Sequence, residues 1–313
     1  MSAKYSYQPR RSSGSNSSQE ALIGILVLIV IVETFLLLRP YIKKKGEHAP
    51  AHKKTVSHAL RPEPWVPKPE PVIPPAPLPA APAARIPPGK GMIAIIIDDN
   101  GYNASDCDRL AAIPQPVAVA ILPDLKYSKE MGYCAHQEGK EVMLHLPLEP
   151  HVNHERYPED YIIKTKMPEA AILAKLNECL KNVPHAQGVN NHMGSKATED
   201  QRLMSIILAD LKARGLFFVD SVVTNKSVCL PIARKLDIPF TYRDVFLDNI
   251  NTRAAIEAQF VELARKANRQ GKAVGIGHAR PLTWQIVKEQ LEKLSRAGYQ
   301  IVTVNAIIHS PAP

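Results

Sequence analysis

The stretch that most constrains this chain is "MIAIIIDDNGYN", residues 92–103. Ile93 to Ile97 form an unbroken apolar run, rich in β-branched residues. Such a run suits a strand covered on both faces, as in a parallel sheet packed by helices. It ends in two adjacent carboxylates, Asp98 and Asp99. Two like charges at the end of a buried strand are costly unless something offsets them.

The pattern repeats from about Met92 to Ile308. Strand-like runs "MIAIIIDD", "PVAVAILP", "EVMLHLPLEP", "QGVNNHMGS", "LFFVDS", "IPFTYRDVFLD", "AVGIGHARP" and "YQIVTVNAII" alternate with helix-period segments. Strict β–α alternation predicts an α/β fold. Seven or eight such units predict a (β/α) barrel rather than a doubly wound sheet. No G-x-G-x-x-G follows the first strand, and there is no P-loop.

The first ninety residues are of another kind. Residues 1–20 are Ser-rich and basic, with little to bury, and read as disordered. Residues 21–38, "ALIGILVLIVIVETFLLL", are apolar except for Glu33 and Thr34. A helix of roughly 20 residues crosses a hydrocarbon core, so residues 21–40 are expected to be a single-pass anchor in a bacterial inner membrane. The run is long for a cleaved signal peptide and no A-x-A site follows closely. Residues 41–90 form a linker. Its stretch 61–88 is dense in proline, which favours an extended, semi-rigid spacer. Arg39, Lys43, Lys44 and Lys45 would by local charge keep the C-terminal side in the cytoplasm. The long spacer argues the reverse, and the globular region, residues 91–313, is expected to be periplasmic.

The formal charge of +9 invites a nucleic-acid reading. Much of the excess falls in residues 1–54, where acidic lipid headgroups account for it. The remaining charges are mixed and carry no nucleic-acid motif, so no nucleic-acid partner is expected. The four cysteines, at 107, 134, 179 and 229, form no C-x-x-C or zinc-type cluster and read as small buried apolar residues.

In a parallel barrel the active site lies at the C-terminal ends of the strands. Here six strand-like runs end in polar groups: Asp98 and Asp99; His145 and Glu149; Asn190, Asn191 and His192; Asp220 and Ser221; Arg243, Asp244 and Asp248; His278 and Arg280. Carboxylates and imidazoles without clustered thiolates suit zinc or a similar divalent ion. One acidic neighbour can bind the cation while the other acts as base toward a water. No G-x-S-x-G elbow is present, and Ser195 and Ser221 read as helix N-caps.

The motifs "IIIDDNGYN", "MLHLPLEP", "GVNNHMGS", "FFVDS", "YRDVFLDN" and "GIGHARP" occur in order between residues 92 and 308. Together they resemble the divergent polysaccharide deacetylase family, within the NodB-like glycoside hydrolase/deacetylase superfamily. The resemblance implies an irregular seven-stranded (β/α) barrel. It also implies metal-dependent deacetylation of an N-acetylated cell-envelope polysaccharide or peptidoglycan. It assigns Asp98 as catalytic base, His278 as catalytic acid, and Asp99, His145 and His192 as metal ligands. The second motif departs from the family: Glu149 stands where a second imidazole is usual. The usual Arg-Pro-Pro motif is absent, leaving Arg243 or Arg280 to orient the base. Glu149, Asn191, Asp220, Arg243, Asp244 and Arg280 are the further candidates for metal or substrate contact. These departures keep open a non-catalytic glycan-binding or scaffolding module on the same barrel.

Overall fold

The computed structural model of the chain describes residues 89–152 and 157–310. The expected disordered start, the membrane anchor and nearly all of the linker lie outside the described residues. Among the described residues no helix is long and apolar enough to cross a membrane.

Among the described residues nine strands form one parallel sheet: β1 (Met92–Asn100), β2 (Ala118–Ile121), β3 (Glu141–Leu148), β4 (Gly188–Met193), β5 (Phe217–Asp220), β6 (Phe240–Tyr242), β7 (Val245–Phe246), β8 (Lys272–His278) and β9 (Gln300–Ile301). Their order is β6-β5-β4-β3-β2-β1-β8-β7, with β9 also pairing β1. The helices that alternate with them are α1 (Asp106–Ala111), α2 (Ser128–Gln137), α3 (Glu169–Asn182), α4 (Gln201–Ala213), α5 (Cys229–Leu236), α6 (Arg253–Gln270), α7 (Pro281–Arg296) and α8 (Val304–His309). The architecture is a parallel-sheet α/β half-barrel.

The isoleucine run explains why both faces must be apolar. Ile93, Ile95 and Ile97 enter the large core between sheet and helices. Ala94 and Ile96 face the other way, into an inner core with Ala120, Met143, Val219 and Ile276. Val304 and Ile307 of α8 belong to that inner core. Strand alternation thus divides one sequence run between two cores.

Three expectations are corrected here. The run "IPFTYRDVFLD" is not one strand. β6 pairs with β5, whereas β7 pairs with β8 at the other end of the sheet. Between them, Arg243 N donates to Asp220 O and Asp244 N to Val274 O, each at 2.9 Å. Two consecutive residues therefore hold opposite sheet edges, and the chain itself spans the gap that a seven-stranded ring would close by pairing. The second correction concerns "YQIVTVNAII", of which only Gln300 and Ile301 are strand. Thr303 caps the helix that follows, accepting from Ala306 N at 3.1 Å. The Glu141 carboxylate, at the start of β3, accepts from Val304 N at 2.7 Å and Asn305 N at 2.9 Å. That anion at the positive end of α8 is a long-range cap that local periodicity does not reveal. Third, Cys107 of α1 and Cys134 of α2 form a disulfide, while Cys179 and Cys229 are free and buried.

Candidate metal centre

The two carboxylates reach one site because β1 is irregular where they sit. Ile97 pairs with Val119 but Asn100 pairs with Ile121, so β1 carries one extra residue. Asp99 takes a left-handed conformation, φ 60°. In a regular strand, neighbouring side chains point to opposite faces; a bulge re-aims one of them. Asp98 Oδ2 then lies 3.6 Å, and Asp99 Oδ1 3.3 Å, from the same atom, His145 Nε2. The Asn100 amide fills the broken ladder, donating to Ile97 O at 2.6 Å and Ala120 O at 3.2 Å.

Register supplies the imidazoles. His145 on β3 lies opposite Asn190 on β4, and Pro147 opposite His192. Asn190 and His192, two residues apart, share a face. His192 Nδ1 lies 3.3 Å from Asp99 Oδ1. Ligand atoms of Asp99, His145 and His192 all lie within 4.8 Å of one another. The His192 ring packs edge-on against Tyr157, centroids 5.4 Å apart. Tyr157 belongs to a small apolar cluster with Leu122 and Ile162, which walls this side of the site.

These residues fit a divalent ion. Asp99 Oδ1 is buried without a hydrogen-bond partner, although two imidazole nitrogens lie 3.3 Å away. That spacing is about what two ligands need around an ion bound at roughly 2.0–2.2 Å in tetrahedral geometry. Burial would raise the Asp99 pKa, but His145 and His192 outweigh it and hold the carboxyl well below its ordinary range.

Asp98 is held differently. Its Oδ1 accepts from Asn190 Nδ2 at 2.8 Å. Burial raises its pKa, and the Asp99 charge adds to this, against the pull of His145 and His278. Asn190 Oδ1 in turn lies 2.8 Å from His145 Nδ1.

His278, at the end of β8, faces Asp99 Oδ2 through Nε2 at 3.8 Å. Its Nδ1 lies 2.9 Å from Asp248 Oδ1, and its backbone N donates to Asp248 Oδ2 at 3.0 Å. Thr283 Oγ1 also donates to Asp248 Oδ2, at 2.7 Å. Asp248 is fully buried. Burial disfavours the imidazolium, but the hydrogen bond to Asp248 and the charges of Asp99, Asp248 and Asp98 raise the His278 pKa overall.

The other candidates serve the frame around the site. Glu149 is committed elsewhere: Oε1 accepts from Lys196 Nζ at 2.6 Å, and Oε2 from Thr165 N and Oγ1, each at 2.7 Å. It does not join the Asp99–His145–His192 cluster. Asn191 Oδ1 accepts from Ser221 N, and its Nδ2 donates to Met193 O. Asp220 accepts from Val222 N and Ser227 Oγ. Asp244 accepts from Val274 N. Arg243 donates to Ser221 O and Val222 O and lies over the Phe246 ring. Arg280 donates to Asp248 O, behind His278. Ser195 and Ser221 do not cap helices. Ser195 Oγ accepts from His151 N, and Ser221 Oγ donates to Asn191 O. Sequence reasoning places Asn190 and Asp248 on the rim without assigning them a role. The i, i+2 spacing of Asn190 and His192 is the signal for the first. Nothing local pairs Asp248 with His278, because they sit 30 residues apart.

Comparison with known proteins settles the kinship. The family model described as divergent polysaccharide deacetylase matches residues 95–308. The chain belongs to the divergent polysaccharide deacetylase family. Within this kinship it is 32% identical over 222 residues to the uncharacterised Escherichia coli K12 protein YibQ, covering 71% of this chain and 68% of that protein. It is 34% identical over 202 residues to an uncharacterised Haemophilus influenzae protein, covering 64% of this chain and 71% of that one. A crystal structure of an uncharacterised Agrobacterium tumefaciens protein matches with a TM-score of 0.67 and 24% identity. The match covers 70% of this chain and 89% of that one, and shows a shared fold.

Proposed function

We propose that this divergent polysaccharide deacetylase homologue is a metal-dependent hydrolase that removes acetyl groups from an N-acetylated polysaccharide of the cell envelope. The observation that carries this reading is the different treatment of two adjacent carboxylates. Asp99 lies between two imidazoles, while Asp98 is tied to a neutral amide. Asp99, His145 and His192 would hold the ion, and two nitrogens with one oxygen suit zinc. When bound, a divalent ion supplies Lewis-acid polarisation of an amide carbonyl and acidifies a water.

The chain's own groups do the rest. Asp98 Oδ1 is occupied by Asn190, so Oδ2 takes the proton of the attacking water. The water oxygen bonds to the acetamide carbon, and the C–N bond breaks. His278, held through Nδ1 by Asp248, delivers a proton from Nε2 to the departing amine. Its raised pKa favours the protonated form that this step needs. The products are acetate and a free amino sugar.

The cystine between Cys107 and Cys134 supports placement outside the cytoplasm, since such bonds persist in oxidising compartments. With residues 21–40 as an inner-membrane anchor and 41–90 as a spacer, the domain would face peptidoglycan from the periplasmic side. Protease digestion of spheroplasts tests this: a domain that stays protected until the membrane is lysed would rule it out.

Activity is tested by acetate release from N-acetylglucosamine oligomers and peptidoglycan fragments, using purified protein with zinc added. Chelation should stop release, and zinc should restore it. Asp98→Asn should lower kcat by about 10²–10⁴-fold. Acetate release that survives both treatments would overturn the proposal. Saturable oligosaccharide binding without acetate release would favour the glycan-binding module instead.

A further inference from the structure

The base and the metal ligand in this site are joined by one buried side chain. Asn190 is fully buried, and His145 and Asp98 nearly so. Its Nδ2 donates to Asp98 Oδ1 at 2.8 Å, while its Oδ1 faces His145 Nδ1 at 2.8 Å. The amide has only one workable orientation. Reversed, it would set its carbonyl oxygen against the Asp98 carboxylate oxygen and lose that hydrogen bond. A second acceptor supports the observed orientation, since Ser221 Oγ lies 3.5 Å from Nδ2. Ser221 is itself pinned: Oγ donates to Asn191 O at 2.9 Å, its N donates to Asn191 Oδ1 at 2.8 Å, and its O accepts from Arg243 Nε at 2.7 Å.

The consequence runs through the imidazole. An amide oxygen at Nδ1 requires the proton on Nδ1, which leaves the lone pair on Nε2. Nε2 is the atom that faces Asp99 Oδ1 at 3.3 Å. We propose that Asn190 is a positioning residue that imposes the Nδ1–H tautomer on His145 because its amide is already committed to Asp98. One side chain thereby prepares a metal ligand and orients the base. Of the two arginines expected to orient the base, Arg243 bonds Ser221 O and Arg280 bonds Asp248 O. The proposal rests on reading Asp99, His145 and His192 as a metal site.

The test separates the two claims by beginning with metal-free protein. Long-range ¹H–¹⁵N NMR of the full chain, with His145 assigned through His145→Gln, reports which ring nitrogen carries the proton. His145 is expected as Nδ1–H, the minority form of free imidazole. Asn190→Leu removes the acceptor: the ring should revert to Nε2–H, and zinc affinity should fall about 10–100-fold. Asn190→Asp keeps an acceptor for Nδ1–H but sets a carboxylate against Asp98. It should preserve the tautomer and hold zinc within a few-fold of wild type, yet lose kcat. Wild-type His145 found as Nε2–H would overturn the proposal, as would an unchanged tautomer and affinity in Asn190→Leu. If Asn190→Leu does not fold, the wild-type spectrum and Asn190→Asp still decide. An Nδ1–H ring in protein that releases no acetate would sink the hydrolase reading and leave this one standing.

Discussion

Asp99 lies near the end of β1 and Glu149 just after β3, two strands away, and by residue type alone either could bind a cation. Their surroundings differ in kind. Glu149 meets an ammonium and two Thr165 donors, and both its oxygens are satisfied by the chain itself. Asp99 meets two imidazole nitrogens, groups that can donate either a proton or a lone pair, and its Oδ1 makes no hydrogen bond. A carboxylate surrounded by permanent donors is finished as a structural ion pair. One flanked by imidazoles, whose nitrogens can also offer lone pairs, has a geometry that a cation can complete. Donor chemistry in the second layer, rather than the acid itself, separates a clasp from a ligand.

The largest effect should distinguish these corners directly. Asp99→Ala should abolish zinc retention and acetate release, while Glu149→Gln keeps the zinc stoichiometry of wild type. Metal analysis after dialysis checks both, and equal loss in the two variants would break the distinction. Next in size is the cystine that ties α1, just beyond the bulge, to α2. Cys107→Ser with Cys134→Ser should cost about 3–4 kcal/mol of stability on the chain-entropy account, read from urea denaturation. A loss that small in a domain still folded would leave zinc stoichiometry intact if the cystine braces the fold rather than the site.

Smaller still, Glu149→Gln should cost about 1 kcal/mol, since the partner Lys196 is partly exposed and screened by solvent. The smallest effect is its pH dependence. Burial acts to raise the Glu149 pKa, but Lys196 and Thr165 outweigh it and bring the value from 4.5 down to about 2. Between those values the unfolded chain binds more protons than the folded one. The stabilisation is therefore full above about pH 4.5 and is lost as pH falls toward 2. Denaturation of wild type and Glu149→Gln should differ at neutral pH and converge in that window; a constant gap would show that charge is not the source.

Much of this fold is legible in the chain because dry strands and amphipathic helices alternate visibly. The isoleucine run marks a strand with two cores, and the polar strand ends mark the rim. What stays hidden depends on distant partners. Glu141 turns a terminal apolar stretch into a helix from 163 residues away. Glu149 is withdrawn from the metal candidates by Lys196 and Thr165, neither readable as its neighbour from spacing. Asp99 joins its neighbour only through a left-handed residue that no motif announces. The site residues His145, His192 and His278 are visible because each stands in the C-terminal half of a strand-like run. Asn190 and Asp248, which orient them, are visible only once register is known.

The crossing at Arg243 and Asp244 has a mechanical consequence. From β6 across to β8, neighbouring strands pair at three or more positions, and such a ladder can lose one member and remain. This one is a seam of two peptide units, anchored to Asp220 on one side and Val274 on the other. A single proteolytic nick there would cut the one covalent link that joins the β6 edge directly to the β7 edge. The same nick in a helix–strand loop would leave the order of strands untouched.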